Sequence, residues 1–194
     1  MIGIILLVVV VVIVLWFASI YNFFATAKVR VNAAVQEIGN QLKRQADLIP
    51  NLEESVKGYL KHEKEVYKML TDARKAVASA AGSGDVQKMA DAGAKLSAVL
   101  PRLSIAVESN PELKGSEVVT NLMDELRDTA DKIMYSRRLL IDLTAEYNVK
   151  LVTFPTNLIA QAFGFTEMKG LITPADGEFL NVSENDTKTP KVSL

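Results

Sequence analysis

The amino terminus constrains the fold more than any other part of the sequence, because no charged side chain precedes Lys28. A helix of roughly 20 apolar residues crosses a bilayer and satisfies its backbone hydrogen bonds internally. We therefore predict that residues 1–27 form a transmembrane anchor, with aromatic side chains near one membrane surface. The positions that mark this anchor are Ile2, Trp16 and Tyr21.

A cleaved signal peptide is the alternative interpretation of this segment. The triplet at 25–27, Ala-Thr-Ala, resembles the small-x-small pattern of a cleavage site. However, no Lys or Arg precedes the apolar run, and the run is longer than a signal-peptide core. We therefore favour a retained anchor. By the positive-inside rule, the basic residues that follow it predict an external amino terminus and a cytoplasmic body. These residues are Lys28, Arg30, Lys43 and Arg44.

The composition excludes several kinds of functional site. The chain has no cysteine, a single histidine (His62) and a net charge of −1. Disulfides, thiolate catalysis and cysteine-based metal sites are therefore excluded, and one histidine cannot supply the usual ligands of a zinc site. The sequence also lacks a basic stripe with interleaved aromatic residues, which is typical of nucleic-acid surfaces. We expect no cofactor, no bound metal and no nucleic-acid partner.

Beyond the anchor, apolar residues recur in steps of three and four, which predicts amphipathic helices. One stripe occupies residues 31–49 and a second occupies residues 52–80. No Gly or Pro separates the anchor from the first stripe before Gly39. The anchor and the first helix of the body are therefore expected to form one continuous rod.

Pro50 predicts the first corner, because proline lacks a backbone N–H and disfavours the α conformation at the preceding residue. We predict that one helix ends or kinks there and that the next begins at Pro50. His62 and Glu63 point about 100° apart on a helix, so they are interpreted as fixing helix register rather than as an acid–base pair. The residues assigned to the corner and to register are Asn40, Gln41, Pro50, Asn51, His62 and Glu63.

The remaining breaks and the longest stripe complete the predicted fold. Gly82, Gly84 and Asp85 suit a helix end followed by an N-cap, and another corner is expected around Pro111. Pro101 should interrupt or kink the third helix. Residues 119–147 repeat every 3.5 residues, the pattern of supercoiled packing. We predict an all-α fold, in which residues 28–154 form an antiparallel, coiled-coil-like bundle of long helices behind the anchor.

The carboxy-terminal residues 155–194 lose this periodicity. Their last dozen residues are polar and are expected to be disordered. The preceding apolar residues either fold back onto the bundle or form an exposed docking strip for a neighbouring protein or the membrane surface. This candidate docking strip consists of Phe154, Leu158, Ile159, Phe163 and Phe165.

Four blocks of the sequence resemble the LemA family of bacterial membrane-anchored helical bundles. They are Tyr21-Asn22, "QLKRQADLIPNLEESVKGYLKHEKEV" at 41–66, Ala73-Arg74, and "YNVKLVTFPTNLIAQAFGF" at 147–165. The resemblance implies a single-pass protein of the bacterial inner membrane, and it implies no defined activity. The chain departs from the family pattern at Leu140-Ile141, where a second Tyr-Asn pair is common. It departs again after Phe165, where "TEMKGLITPADGEFL" replaces an aromatic-acidic ending.

These features favour a non-enzymatic membrane protein that self-associates or acts as a scaffold for envelope proteins. We expect the chain to form a homo-oligomer. Another membrane protein is the alternative binding partner. The second hypothesis is an adaptor or regulator of a membrane protease or an envelope stress system. The third is a hydrolase that uses the corner around His62, although no strand-turn nucleophile motif surrounds any serine.

Overall fold

A computed structural model describes residues 1–60 and 63–172 of the chain. Within these two ranges all regular secondary structure is helical, which confirms the all-α prediction. The helices are α1 (Ile2–Val56), α2 (Lys64–Ala81), α3 (Val86–Glu108), α4 (Pro111–Lys114), α5 (Glu117–Val152) and α6 (Thr156–Ala162). His62 and the polar end of the chain, for which disorder was predicted, lie outside the described residues.

Helix α1 joins the apolar amino terminus to the body without a break, as the sequence predicts. It is 55 residues long, which corresponds to about 80 Å at 1.5 Å per residue. Residues 2–19 are exposed on every side, and one face becomes buried from Ile20 onward. The first part of α1 is therefore not buried by the bundle, whereas the second part is a core helix of the bundle.

Four helices form the bundle. Helices α1 and α2, α2 and α3, and α3 and α5 pack as neighbours, and α5 closes the ring against α1. Helices α1 and α5 run antiparallel, because Phe24 of α1 meets Tyr147 while Arg44 pairs with Glu125. Helices α2 and α3 are much shorter than α1 and α5. Near the exposed segment of α1, the core is therefore formed by α1, α5 and the short helix α6.

The α5 stripe is buried almost as the 3.5-residue repeat predicts. Val119, Leu126, Ile133, Leu140 and the other predicted positions face the core, with one exception. Met123 is buried where the 3.5-residue repeat places Leu122, and Leu122 is only partly buried. The two residues are adjacent on α5. The buried face of the helix therefore shifts by one residue at this point and follows the predicted positions elsewhere.

The prediction that a helix ends at Pro50 is wrong. Helix α1 runs through Pro50 to Val56, and the corner lies at the turn residues that follow. Pro50 is exposed, and the helix continues through it with the loss of the one backbone hydrogen bond that its missing N–H would donate. Ile49 and Leu52, on either side, remain fully buried and hold the helix against its neighbours. Pro101 likewise lies inside α3 without interrupting it.

The other predicted helix breaks occur where the sequence places them. Asp85 is the N-cap of α3, and its carboxylate accepts from the backbone N–H groups of Gln87 at 3.0 Å and Lys88 at 3.2 Å. Gly84, just before it, has φ +65°, a left-handed conformation that glycine adopts without a steric penalty. Asn110 caps the single turn of α4 in the same way as Asp85.

Two helical glycines provide a matched test of this packing. A Cβ at Gly93 would lie 2.9 Å from Ile133 Cγ2, whereas one at Gly39 would meet only Met89 Sδ at 3.7 Å. We expect Gly39→Ala to raise the free energy of unfolding by about 0.5–1 kcal/mol, because alanine is the better helix former. We expect Gly93→Ala to lower it by about 1–2 kcal/mol, because the overpacking cost exceeds that gain. Denaturant unfolding of both variants measures the difference; equal stabilisation would contradict the α3–α5 contact.

Candidate functional site

An aromatic cluster fastens the carboxy-terminal segment to the base of the bundle, next to the exposed part of α1. Phe24 is fully buried. Its ring stacks on Phe165 with centroids 4.9 Å apart, and it meets Tyr147 edge-on at 5.2 Å. Ile159 and Ala160 of α6 complete the buried core of this cluster. Burial raises the pKa of Tyr147 above its ordinary value, because the phenolate would be poorly solvated. The phenol is therefore neutral at physiological pH.

Asn148 continues this attachment with two hydrogen bonds to one residue. Its amide Nδ2 donates to the Met168 carbonyl at 2.8 Å, and its Oδ1 accepts from the Met168 N–H at 3.0 Å. Farther along, the N–H of Ile172 donates to Gln87 Oε1 at 2.9 Å. The segment after α6 therefore runs along α5 to the start of α3. The Tyr147-Asn148 pair, which carries part of the family resemblance, has a visible role in holding it there.

The structure divides the candidate docking strip into two parts. Ile159 is buried and Phe165 is partly buried against α1, as the fold-back alternative predicts. Phe154, Leu158 and Phe163 are 79%, 58% and 57% exposed. The fold-back alternative therefore holds for Ile159 and Phe165, whereas docking through the three exposed side chains stays a prediction.

The residues assigned to the Pro50 corner do not form a site. Asn40, Pro50 and Asn51 are exposed along the unbroken helix, and Gln41 donates to Glu37 Oε1, one turn earlier, at 2.7 Å. Glu63 is exposed at the N-cap position of α2 and makes no side-chain capping bond. The turn after α1 therefore separates Glu63 from the apolar stripe of that helix and leaves it in solvent.

A carboxylate that is absent from the sequence predictions is buried between α1 and α2. Glu53 is 7% exposed. Thr71 Oγ1 donates to Glu53 Oε1 at 2.7 Å, and Arg74 Nη1 approaches Glu53 Oε2 at 2.9 Å as an ion pair without the alignment of a hydrogen bond. Continuing the α1 stripe four residues past Ile49 would have identified this position. Charge balance and hydrogen bonding make Glu53 a structural link between two helices.

A second buried polar pair links α1 to α5. Gln45 is fully buried, and its Nε2 donates to Thr129 Oγ1 at 3.2 Å. Thr129 in turn donates to the Leu126 carbonyl at 2.8 Å. Gln45 Oε1 has no partner among the described residues, so the bond from Nε2 is the one that favours this axial alignment of α1 and α5.

An open groove lies on the outer surface between α1 and α5. It encloses about 630 Å³, and its floor is formed by small side chains, which include Ala34 and Ser136. Tyr135 stands beside it and is 70% exposed. The charged rim of the groove consists of Arg30, Glu37, Asp131 and Lys132. The groove can receive a side chain or a helix face, and its rim carries both signs of charge.

The described residues offer no preassembled metal site. No group of three His, Asp or Glu side chains in the ranges 1–60 and 63–172 could hold a metal ion. The acidic side chains that are paired in these ranges face Arg, Lys, Thr or Gln partners rather than another acid. The polar groups that the fold brings together join helices to one another, so the groove and the apolar surface of α6 are the candidate sites for binding.

Comparison with known proteins identifies a family. The family model described as "LemA family" matches residues 34–193, which is most of the chain. No curated protein matches the sequence.

Proposed function

The chain belongs to the LemA family, and we propose that it is a non-enzymatic, single-pass membrane protein whose helical bundle associates with further copies of itself as a scaffold. The observation that carries this proposal is the α1–α5 groove, which lies on the same helix as the apolar amino-terminal segment. Family membership and the all-helical fold are compatible with a membrane-associated protein. Self-association is the further step.

The amino-terminal segment of α1 supports the anchor in this proposal. Among the described residues, α1 is the one helix long and apolar enough to cross a membrane, and its most apolar stretch is not covered by protein. A soluble domain would bury such a surface. We place the bundle on the cytoplasmic side of the bacterial inner membrane, because the first basic residues, Lys28 and Arg30, follow the segment.

A second copy fits the groove better than an unspecified ligand. Anchors of the same orientation align neighbouring bundles side by side, so a twofold axis along the membrane normal would bring the groove of one copy against the same groove of its partner. Small side chains in the lining, Ala33, Ala34 and Ser136, permit close approach of helices. Tyr135 supplies a large amphipathic side chain of the kind enriched at interfaces.

The charges on the rim are also self-complementary. Arg30 and Glu37 lie on α1, and Asp131 and Lys132 lie on α5. Each copy therefore presents two basic and two acidic groups, so a twofold pairing can place opposite charges together and discriminate against other registers. Confinement to one membrane raises the effective concentration of copies, so that even a weak contact becomes populated.

Cysteine cross-linking tests this arrangement cleanly, because the native chain contains no cysteine. We expect Tyr135→Cys in intact membranes to give a cross-linked dimer with a short bifunctional maleimide. Met134→Cys is the matched control: the residue is adjacent and 59% exposed, but it lines the α3–α5 surface instead of the groove. The dimer yield should be several-fold higher for Tyr135→Cys than for Met134→Cys.

Replacing Tyr135 could itself weaken the interface, so a second cysteine position is needed. Ala33→Cys places the thiol on the α1 side of the same groove and keeps the tyrosine. Equal, background-level yields from all three variants would contradict self-association through this groove. A cross-link from Tyr135→Cys to a different protein would instead support the alternative function, an adaptor or regulator of a membrane protease or stress system.

A further inference from the structure

The outer surface of α6 and its flanking residues is exposed and uncharged, and large apolar side chains dominate it. No charged side chain lies between Lys150 and Glu167. Within this stretch Phe154, Leu158 and Phe163 project into solvent and are each more than half exposed. Such a concentration of large exposed apolar side chains on a short segment marks a surface that is covered by something else.

The position of α6 along α1 indicates what contacts this exposed surface. From Ile2 to Ile20 α1 rises about 27 Å, and the hydrocarbon core of a bilayer is about 30 Å thick. One membrane boundary therefore falls near residues 20–22. Tyr21 meets the Phe163 ring at 5.0 Å, and Ile20 is buried in the same cluster as Ile159. Helix α6 thus lies at the height where the anchor leaves the lipid.

Basic groups lie near this height, together with the carboxylate of Glu146. Lys28 is the first charged side chain of α1, about one turn past Phe24. The Lys150 ammonium lies 4.4 Å from the centroid of the Phe23 ring. Basic side chains just beyond an apolar surface are the usual arrangement of a segment seated at a membrane interface.

We propose that residues 152–165 form a second membrane contact, in which α6 lies at the bilayer surface and inserts Phe154, Leu158 and Phe163 among the lipid headgroups and upper acyl chains. This inference rests on the anchor proposed above, but it does not depend on self-association. It gives the bundle two attachments to the membrane, which would fix the tilt of the bundle relative to the bilayer. It also makes the lipid bilayer the binding partner of the exposed residues of the docking strip.

Fluorescence quenching on the full chain in phospholipid vesicles tests this contact. The chain has no native cysteine, so Leu158→Cys can carry a single environment-sensitive dye. Ile105→Cys is the matched control, since Ile105 is also apolar and 65% exposed but lies on α3, whose neighbours are bundle helices. Leu6→Cys, in the exposed segment of α1, reports whether the anchor itself is in lipid.

At a high lipid-to-protein ratio, we expect the dye at position 158 to be quenched by nitroxide lipids labelled near the headgroup. We expect its quenching by aqueous iodide to be several-fold weaker than at position 105. Equal iodide quenching at positions 158 and 105, with lipid quenching at position 6, would overturn the second contact and leave the anchor intact. Protection of position 158 from both quenchers would also overturn it, because the surface would then be covered by protein. Phe154→Cys repeats the measurement at a second exposed site.

Discussion

Phe24→Ala is expected to release the carboxy-terminal segment from the bundle. Phe24 is fully buried and contacts the rings of Phe165, Tyr147 and Phe23 at centroid distances of 4.9, 5.2 and 5.5 Å. Removing a buried phenylalanine costs about 3–5 kcal/mol. Most of that loss should fall on the docking of residues 156–172, because they contribute the partner surface on one side of the ring.

Hydrogen exchange at two amides measures the effect directly. The N–H groups of Met168 and Ile172 are bonded to Asn148 and Gln87 in the docked segment. Their exchange should accelerate by about a hundredfold, which corresponds to roughly 3 kcal/mol of lost docking energy. The control is Phe17→Ala, one heptad earlier on the same helix, where the ring is 44% exposed. Unchanged exchange in Phe24→Ala, or equal acceleration in both variants, would contradict the aromatic attachment.

Arg74→Met is expected to destabilise the bundle by about 2–3 kcal/mol, because it leaves the Glu53 carboxylate buried with one hydroxyl partner. The side chain of Glu53 is 9% exposed and that of Arg74 is 41% exposed, so the cost lies mainly on the carboxylate. Thr71 remains as the hydrogen-bond donor to Oε1. The free energy of unfolding, measured by denaturant titration of the detergent-solubilised chain, gives the loss.

The matched control for this prediction is an exposed pair between long helices. Arg44 pairs with Glu125, and their side chains are 48% and 36% exposed. Arg44→Met should therefore cost less than about 1 kcal/mol, as surface ion pairs do. The double variant Glu53→Met/Arg74→Met should recover most of the lost stability, because it removes the unpaired charge. If Arg74→Met and Arg44→Met cost the same, Glu53 is not a buried charge.

Periodicity in the sequence is sufficient to predict the helical bundle. The uncharged amino terminus, the uninterrupted start of α1 and the 3.5-residue repeat of α5 each correspond to a feature of the structure. These predictions succeed because burial of one helix face is a local property that repeats along the chain. The N-cap at Asp85 succeeds for the same reason, since capping involves neighbours in sequence.

The errors concern interactions between distant residues. Pro50 carries a local signal to end a helix, but the buried neighbours Ile49 and Leu52 outweigh the loss of one hydrogen bond at an exposed position. Glu53 is a charged residue in a polar stretch, and its burial depends on Thr71 and Arg74, which lie on another helix. No spacing rule along one helix predicts such a partner.

The candidate binding sites also combine local features, which the sequence predicts, with contacts between distant residues, which it does not. The apolar strip after Phe154 can be identified from the sequence, yet the side on which α6 packs is decided by Phe24 and Tyr147. The α1–α5 groove is not visible in the sequence, because its lining comes from two segments about a hundred residues apart. Alanine and serine at the floor are common helix-surface residues, and only the approach of α1 to α5 gives them a shared function.

The mass and composition of the complex extracted from membranes in mild detergent test the proposed self-association most directly. Light scattering combined with protein identification should give a protein mass that is a multiple of the 21.2 kDa chain and contains this chain alone. A Tyr135→Asp/Leu139→Asp variant should shift that mass toward a single chain, because it places acidic groups in the apolar part of the groove. A wild-type protein that is monomeric and without a partner would contradict the proposed function.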